Sequence, residues 1–146
     1  MQPMNAPSPA PVVSPPAPAA SGRRILYADD VRELRDVARI SLAREGHRIE
    51  CVEDGLAAFE RIAADPAFDL VITDHHMPRL NGLKLVQQLR ASAYRGRILV
   101  FSSELDPRVT AQYRAAGVDR ILFKPVFPSE LRRVLAEMFA PAAGTP

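Results

Sequence analysis

Residues 69–85 read DLVITDHHMPRLNGLKL. Leu70-Val71-Ile72-Thr73 runs straight into Asp74, Met77-Pro78 follows, and after Asn81-Gly82 the apolar residues Leu83, Leu85, Val86 and Leu89 recur at helical spacing. A short continuous apolar run is the pattern of a strand covered on both faces. Asn-Gly marks a turn. The stretch therefore reads as strand, loop and helix, with a carboxylate at the strand's end.

The same unit recurs on both sides. Upstream, Arg24-Ile25-Leu26-Tyr27-Ala28 is a buried strand ending at Asp29-Asp30, and Val31, Leu34, Val37, Ala38 and Leu42 mark a helix up to Gly46. Ile49, Cys51 and Val52 form a weaker strand with polar residues between, which suggests an edge position. Gly55 to Ala64 is a second helix, closed by Asp65-Pro66. Downstream, Ile98-Leu99-Val100-Phe101 is a strand ending at Ser102-Ser103, and the helix from Asp106 to Ala116 starts with Asp106-Pro107 and stops at Gly117. Ile121-Leu122-Phe123 is a fifth strand, followed by Lys124-Pro125. Ser129, or Pro128-Ser129, is expected to cap a last helix with Leu131, Val134, Leu135 and Met138 on one face. Strands alternating with helices call for an α/β fold, a doubly wound parallel sheet with right-handed crossovers. Such sheets bind ligands outside the carboxyl ends of their strands.

Composition narrows the function. The 146 residues carry a net charge of only +2, with acids and bases interleaved. No Lys/Arg run with interleaved aromatics exists, so a nucleic-acid footprint is weak. No apolar run reaches the roughly 18 residues of a membrane span. The N-terminus lacks the basic and Leu-rich regions of a secretory signal. Arg23-Arg24 is followed after only Ile25-Leu26-Tyr27-Ala28 by the charged Asp29, Asp30 and Arg32, not by the longer apolar segment a twin-arginine signal needs. The single cysteine, Cys51, fits a reducing compartment and reads as a small apolar side chain on a strand. A cytoplasmic location is expected. Residues 1–22 hold no charged or aromatic side chain and include half of the 14 prolines, so a disordered tail of polyproline II character is expected there.

The strand ends carry the chemistry: Asp29 and Asp30 after the first, Asp74 after the third, Ser102 at the fourth and Lys124 after the fifth. Crowded carboxylates repel one another, and Mg²⁺ relieves that repulsion with its preference for hard oxygen ligands. A carboxylate can attack phosphorus to form an aspartyl-phosphate. Charge on the transferred group's equatorial oxygens then needs electrophiles, which the metal and the Lys124 ammonium supply, with a hydrogen bond from Ser102. Asp74 is the best-placed nucleophile, and Asp29 and Asp30 are better placed as metal ligands. Each residue alone has a plainer reading: Asp29-Asp30 as a helix cap, Lys124-Pro125 as a loop dipeptide. Their joint occurrence at four of five strand ends is what argues for a site. The adjacent imidazoles of His75 and His76 should diverge on an extended turn. They could also tune water access to an acyl phosphate, together with Glu104.

RILYADD (24–30), DLVITDHHMPRLNGLKL (69–85), ILVFSS (98–103) and AAGVDRILFKP (115–125) together resemble the receiver domain of two-component response regulators. The resemblance covers about residues 23–139, leaving a short tail at 140–146. It implies a flavodoxin-like (βα)5 sheet with strand order 2-1-3-4-5 and Mg²⁺ as cofactor. It further implies Asp74 as phospho-acceptor, Asp29 and Asp30 as metal-binding acids, the His76 backbone carbonyl as a further metal ligand, Ser102 as the switch hydroxyl and Lys124 as the phosphoryl-binding lysine. The phosphoryl donor would be a sensor histidine kinase or a histidine phosphotransfer protein. The responding surface would include Arg108, Tyr113, Arg114, Ile121 and Arg132. The family often has Tyr or Phe where this chain has Ile121, so the aromatic part of the usual switch is missing.

Only APAAGTP follows Phe139, so the expectation is a single-domain regulator without a DNA-binding module, signalling through its own surface to a downstream protein. Two readings compete with it. One is a phosphorylation-independent binding module of the same fold, and the other a small flavodoxin-like enzyme or nucleotide binder. The second lacks a glycine-rich phosphate loop, since Ala28 to Val31 contains no glycine.

Overall fold

The computed structural model describes residues 22–103 and 105–140. The expected tails lie outside these residues except for Gly22 and Ala140, and Glu104 lies outside them too. Ten elements alternate: β1 (Arg24–Ala28), α1 (Arg32–Ala43), β2 (Arg48–Val52), α2 (Gly55–Ala64), β3 (Leu70–Thr73), α3 (Gly82–Ala91), β4 (Arg97–Ser102), α4 (Pro107–Ala116), β5 (Arg120–Phe123) and α5 (Pro128–Met138). All strand pairs are parallel, in the order β2-β1-β3-β4-β5. This is the flavodoxin-like order the resemblance implied.

Period-2 alternation splits the core into two layers. Leu26, Ala28, Val71, Ile98 and Val100 face α2, α3 and α4, where Ala58, Ile62, Leu85, Leu89 and Tyr113 meet them. Ile25, Tyr27, Leu70, Ile72, Leu99 and Phe101 face α1 and α5, against Ala38, Leu42, Leu131, Val134 and Leu135. β3 is buried along its whole length, whereas β2 at the edge is only partly covered. No helix of the described residues is long and apolar enough to cross a membrane.

Helix starts follow local chemistry. Asp54, Asn81 and Asp106 accept backbone N–H groups of the first turns of α2, α3 and α4. Gly117 ends α4 in the left-handed region, at φ 99°. One expected cap is corrected, and one plainer reading falls away. α5 begins at Pro128 with Phe127 as its cap residue and no side-chain cap bond, so Ser129 lies inside the first turn. The fixed φ of proline suits the first helical position and moves the boundary upstream. α1 has Val31 as its cap residue, also without a side-chain cap bond, so neither Asp29 nor Asp30 is used for capping.

At the end of the sheet away from the carboxyl ends, Arg90 donates to the carbonyls of Gly117, Tyr94 and Gly96. Asp119 accepts the Ile98 N–H and Asp69 the Arg24 N–H, both at 2.8 Å. His47, between α1 and β2, accepts the Arg23 N–H on Nδ1 at 3.1 Å, and burial holds it below the ordinary histidine pKa.

Two outcomes are expected. Leu99 is fully buried in the central strand β4, so Leu99→Ala should lower unfolding free energy by about 2–5 kcal/mol with an unchanged urea m-value. Native His47 resists protonation that the unfolded chain accepts, so stability should fall as pH drops below about 6.5. His47→Gln should flatten that decline in urea titrations run across the same range.

Candidate functional site

Parallel register delivers the functional residues to one edge. Ala28 pairs with Thr73, Thr73 with Val100, and Ser102 with Phe123. The ladder continues one residue further. The Asp74 N–H donates to the Ala28 carbonyl at 3.0 Å, the Asp29 N–H to Val52 at 3.2 Å and the Lys124 N–H to Ser102 at 2.7 Å. The side chains that need fixed positions thus sit on backbone still tied to the sheet.

Asp29, Asp30 and Asp74 each place a carboxylate oxygen within 4.8 Å of the others'. Asp29 and Asp74 are buried, and Asp30 is exposed. The Lys124 ammonium lies 2.9 Å from Asp29 Oδ2 and 3.6 Å from Asp74 Oδ2. Asp29 Oδ1 accepts the Val31 N–H at 2.9 Å, and Asp74 Oδ1 the His75 N–H at 2.7 Å. One ammonium among three carboxylates leaves a surplus of negative charge. Two unit charges 4 Å apart interact by about 4 kcal/mol at a near-surface dielectric of about 20. A divalent cation removes that repulsion. The donor set is all hard oxygen, with no thiolate or imidazole in it, which fits Mg²⁺. No backbone N–H of the described residues donates to the His76 carbonyl, so the further ligand expected there is compatible with this geometry.

Ser102 is fully buried at the end of β4, and its hydroxyl has no hydrogen-bond partner among the described residues. A buried orphan hydroxyl is costly, and this one stands at the same strand-end edge as Asp74 and Lys124.

The expected output residues separate. Arg108 and Arg114 are exposed, Arg132 pairs with Glu45 at 3.2 Å, and Ile121 is partly buried against the core. Tyr113 is corrected: it is 0% exposed and belongs to the core, not to the surface. Its place on α4 points inward at the α3 layer, and its hydroxyl lies 2.6 Å from His75 Nδ1. The two histidines are corrected as well. Their rings meet edge to face, with centroids 4.7 Å apart, and do not diverge. The chain turns straight after Asp74, with the His75 carbonyl accepting the Gly82 N–H at 2.9 Å, and that turn brings the neighbouring rings together.

Burial and His76 hold His75 below the ordinary imidazole pKa, so it is neutral near pH 7 and Nδ1 is available as an acceptor. Burial and the Asp74 charge push Tyr113 above the ordinary phenol pKa, so it keeps its proton and donates. The pair lies 38 positions apart in the chain, and no sequence signal pointed to it. Gly82 closes the loop tightly: a Cβ there would stand 2.2 Å from the Asp74 carbonyl oxygen and 2.6 Å from Tyr113 Oη.

Mg²⁺ should stabilise the native chain by mass action, about 1.4 kcal/mol at ten times its dissociation constant. Asp30→Asn removes one charge from the cluster without emptying the core, so that gain should shrink while stability in metal-free buffer stays the same or rises. Thermal unfolding with and without Mg²⁺ measures both.

Residues 25–136 match the model of the response regulator receiver domain. The chain is 35% identical over 129 residues to the sensor histidine kinase AruS of Pseudomonas aeruginosa, covering 86% of this chain and 13% of that protein. It is 38% identical over 108 residues to the response regulator MprA of Mycobacterium ulcerans, covering 74% of this chain and 46% of that protein. It thus spans a small part of the first and about half of the second. Among solved structures, the chemotaxis response regulator CheY4 of Vibrio cholerae superposes with a TM-score of 0.75 at 26% identity, over 82% of this chain and 100% of that one. The acidic, lysine-braced rim and the 2-1-3-4-5 sheet agree with these matches: the chain belongs to the response regulator receiver domain family.

Proposed function

We propose that the chain accepts a phosphoryl group on Asp74 from a phosphohistidine of a sensor histidine kinase or a histidine phosphotransfer protein, and signals through the resulting change in its own surface. The observation that carries this reading is the Lys124 ammonium held between Asp29 and Asp74 with the unpartnered Ser102 hydroxyl at the same edge.

Asp74 Oδ1 is tied to the His75 N–H, whereas Oδ2 faces Lys124 and is the oxygen free to attack. An O–P bond forms at Oδ2 as the N–P bond of the donor breaks, and the donor imidazole leaves neutral because its other ring nitrogen already carries a proton taken from solvent. Lys124 turns from Asp74 to the phosphoryl oxygens, whose charge it then meets in a largely dry setting. The Ser102 O–H donates to one of those oxygens and so gains the partner it lacks. Asp29, Asp30, Asp74 and the His76 carbonyl would hold Mg²⁺, which when bound neutralises charge on the transferred group. Water later cleaves the acyl phosphate in the same site, so the chain acts on itself and has no separate turnover substrate. The reading goes with a cytoplasmic location, a reducing compartment that suits the lone thiol of Cys51. The output surface includes Arg108 and Ile121.

A phosphorylation-independent binding module of the same fold would not need the full charged set. Radiolabelled phosphoramidate with Mg²⁺ distinguishes the two. Acid-stable label should be absent and hydroxylamine-labile label present on the wild type, and Asp74→Asn should lower incorporation by about a hundredfold or more, the scale of a lost nucleophile. Equal labelling of both proteins would overturn the assignment.

A further inference from the structure

Helix α4 has a single buried residue, Tyr113. Its ring belongs to the core layer of Leu85, Leu89 and Val100, while Val109 and Ala116 on the same helix are only partly covered. Its hydroxyl meets His75 Nδ1 at 2.6 Å, with the rings edge to face at 5.5 Å. The backbone N–H of His75 donates to Asp74 Oδ1 at 2.7 Å. One residue thus touches the carboxylate of Asp74 with its main chain and the only deep anchor of α4 with its side chain. Gly82 leaves no slack behind this contact.

We propose that His75 and Tyr113 form a relay that carries phosphorylation of Asp74 to α4, in place of an aromatic side chain at position 121. This rests on the acceptor reading of Asp74 given above. In the free chain, Oδ1 shares the carboxylate charge and holds the His75 N–H in a charge-assisted bond. Once Oδ2 is esterified, Oδ1 becomes a neutral carbonyl and the negative charge lies on the phosphoryl oxygens. A bond to a neutral acceptor is about half as strong, and the N–H is drawn toward the new charge. Rotation of the His75 main chain carries its ring along. The Tyr113 hydroxyl must then follow the imidazole or stay buried without an acceptor, which is unfavourable. α4 has no second buried residue to resist that movement. A cleft lined by His75, His76, Ser103, Leu105, Asp106 and Pro107 borders its N-terminal end and gives it room. Ile121 packs against the same core layer but carries no group that can follow a change of charge. The two states of α4 differ in a named contact, which is what a coupling between sites requires.

The test uses the full chain, beryllofluoride with Mg²⁺ as the phosphoryl mimic, and amide NMR. Wild type should show bound-minus-free shifts both at the strand ends and along residues 107–117. Tyr113→Phe keeps the ring and should bind the mimic with the same strand-end shifts, but lose roughly half or more of the α4 response. His75→Leu should do the same, and the double variant should be no worse than either single one, as expected for one shared contact. His75→Asn, whose amide oxygen falls near the place of Nδ1, should restore the response. The His75 variants keep the test decisive if Tyr113→Phe folds poorly. Normal mimic binding with an undiminished α4 response in Tyr113→Phe and His75→Leu would sink the relay alone. A wild type that takes up no beryllofluoride would sink the acceptor reading, and the relay with it.

Discussion

The ammonium of Lys124, 2.9 Å from Asp29 and 3.6 Å from Asp74, is the contact on which the rim depends. Buried carboxylates are tolerated only when paired or coordinated. Here one cation serves two of them and leaves the third, Asp30, to solvent. The arrangement is deliberately incomplete as an electrostatic structure. It has room for more positive charge, for which Mg²⁺ is suited, and for a group whose oxygens can take over the lysine and the orphan hydroxyl of Ser102. A fully satisfied rim would be more stable and would have less to gain from a ligand.

Other polar ties lie far from the rim. At the opposite end of the sheet, Arg90 binds three carbonyls, and Asp69 and Asp119 accept main-chain N–H groups of β1 and β4. These ties anchor the starts of the central strands, and the two core layers grip the middle. The backbone of the rim is held by hydrogen bonds to the sheet, and its side chains by Lys124 and by the N–H groups of Val31 and His75. Elements near the rim can then differ in firmness. α3, with Leu85, Val86 and Leu89 buried, is fixed, while α4 hangs on Tyr113. Local looseness beside a strong scaffold is where a two-state response can form.

Much of this was legible in the chain. The run Leu70–Thr73 and its counterparts in β1 and β4 read as strands because a parallel strand covered on both faces must be apolar throughout, whereas β2 at the edge was read from a weaker pattern with polar residues between and is only partly covered. The start of α4 at Asp106-Pro107 and its stop at Gly117 were equally plain, since they act within a single turn, whereas Asn81 was read only as a turn residue and proves to cap α3. Asp29, Asp30, Asp74, Ser102 and Lys124 were identifiable because strand ends in such a sheet share one edge. The cap of α5 was misplaced, since Pro128 and Ser129 both carry start signals and only the helix geometry decides between them.

The sequence by itself determined the alternation of strands and helices, the residues at the strand ends and the kind of chemistry they can do, since these follow from local pattern and short-range bonding. Only the tertiary structure decided that Tyr113 turns inward, that it meets His75 across 38 residues, and that Gly82 must be small there. Helical periodicity tells which residues share a face, but not which face is buried when several are mixed. That choice is made by packing between elements far apart in the chain, where no short-range rule applies.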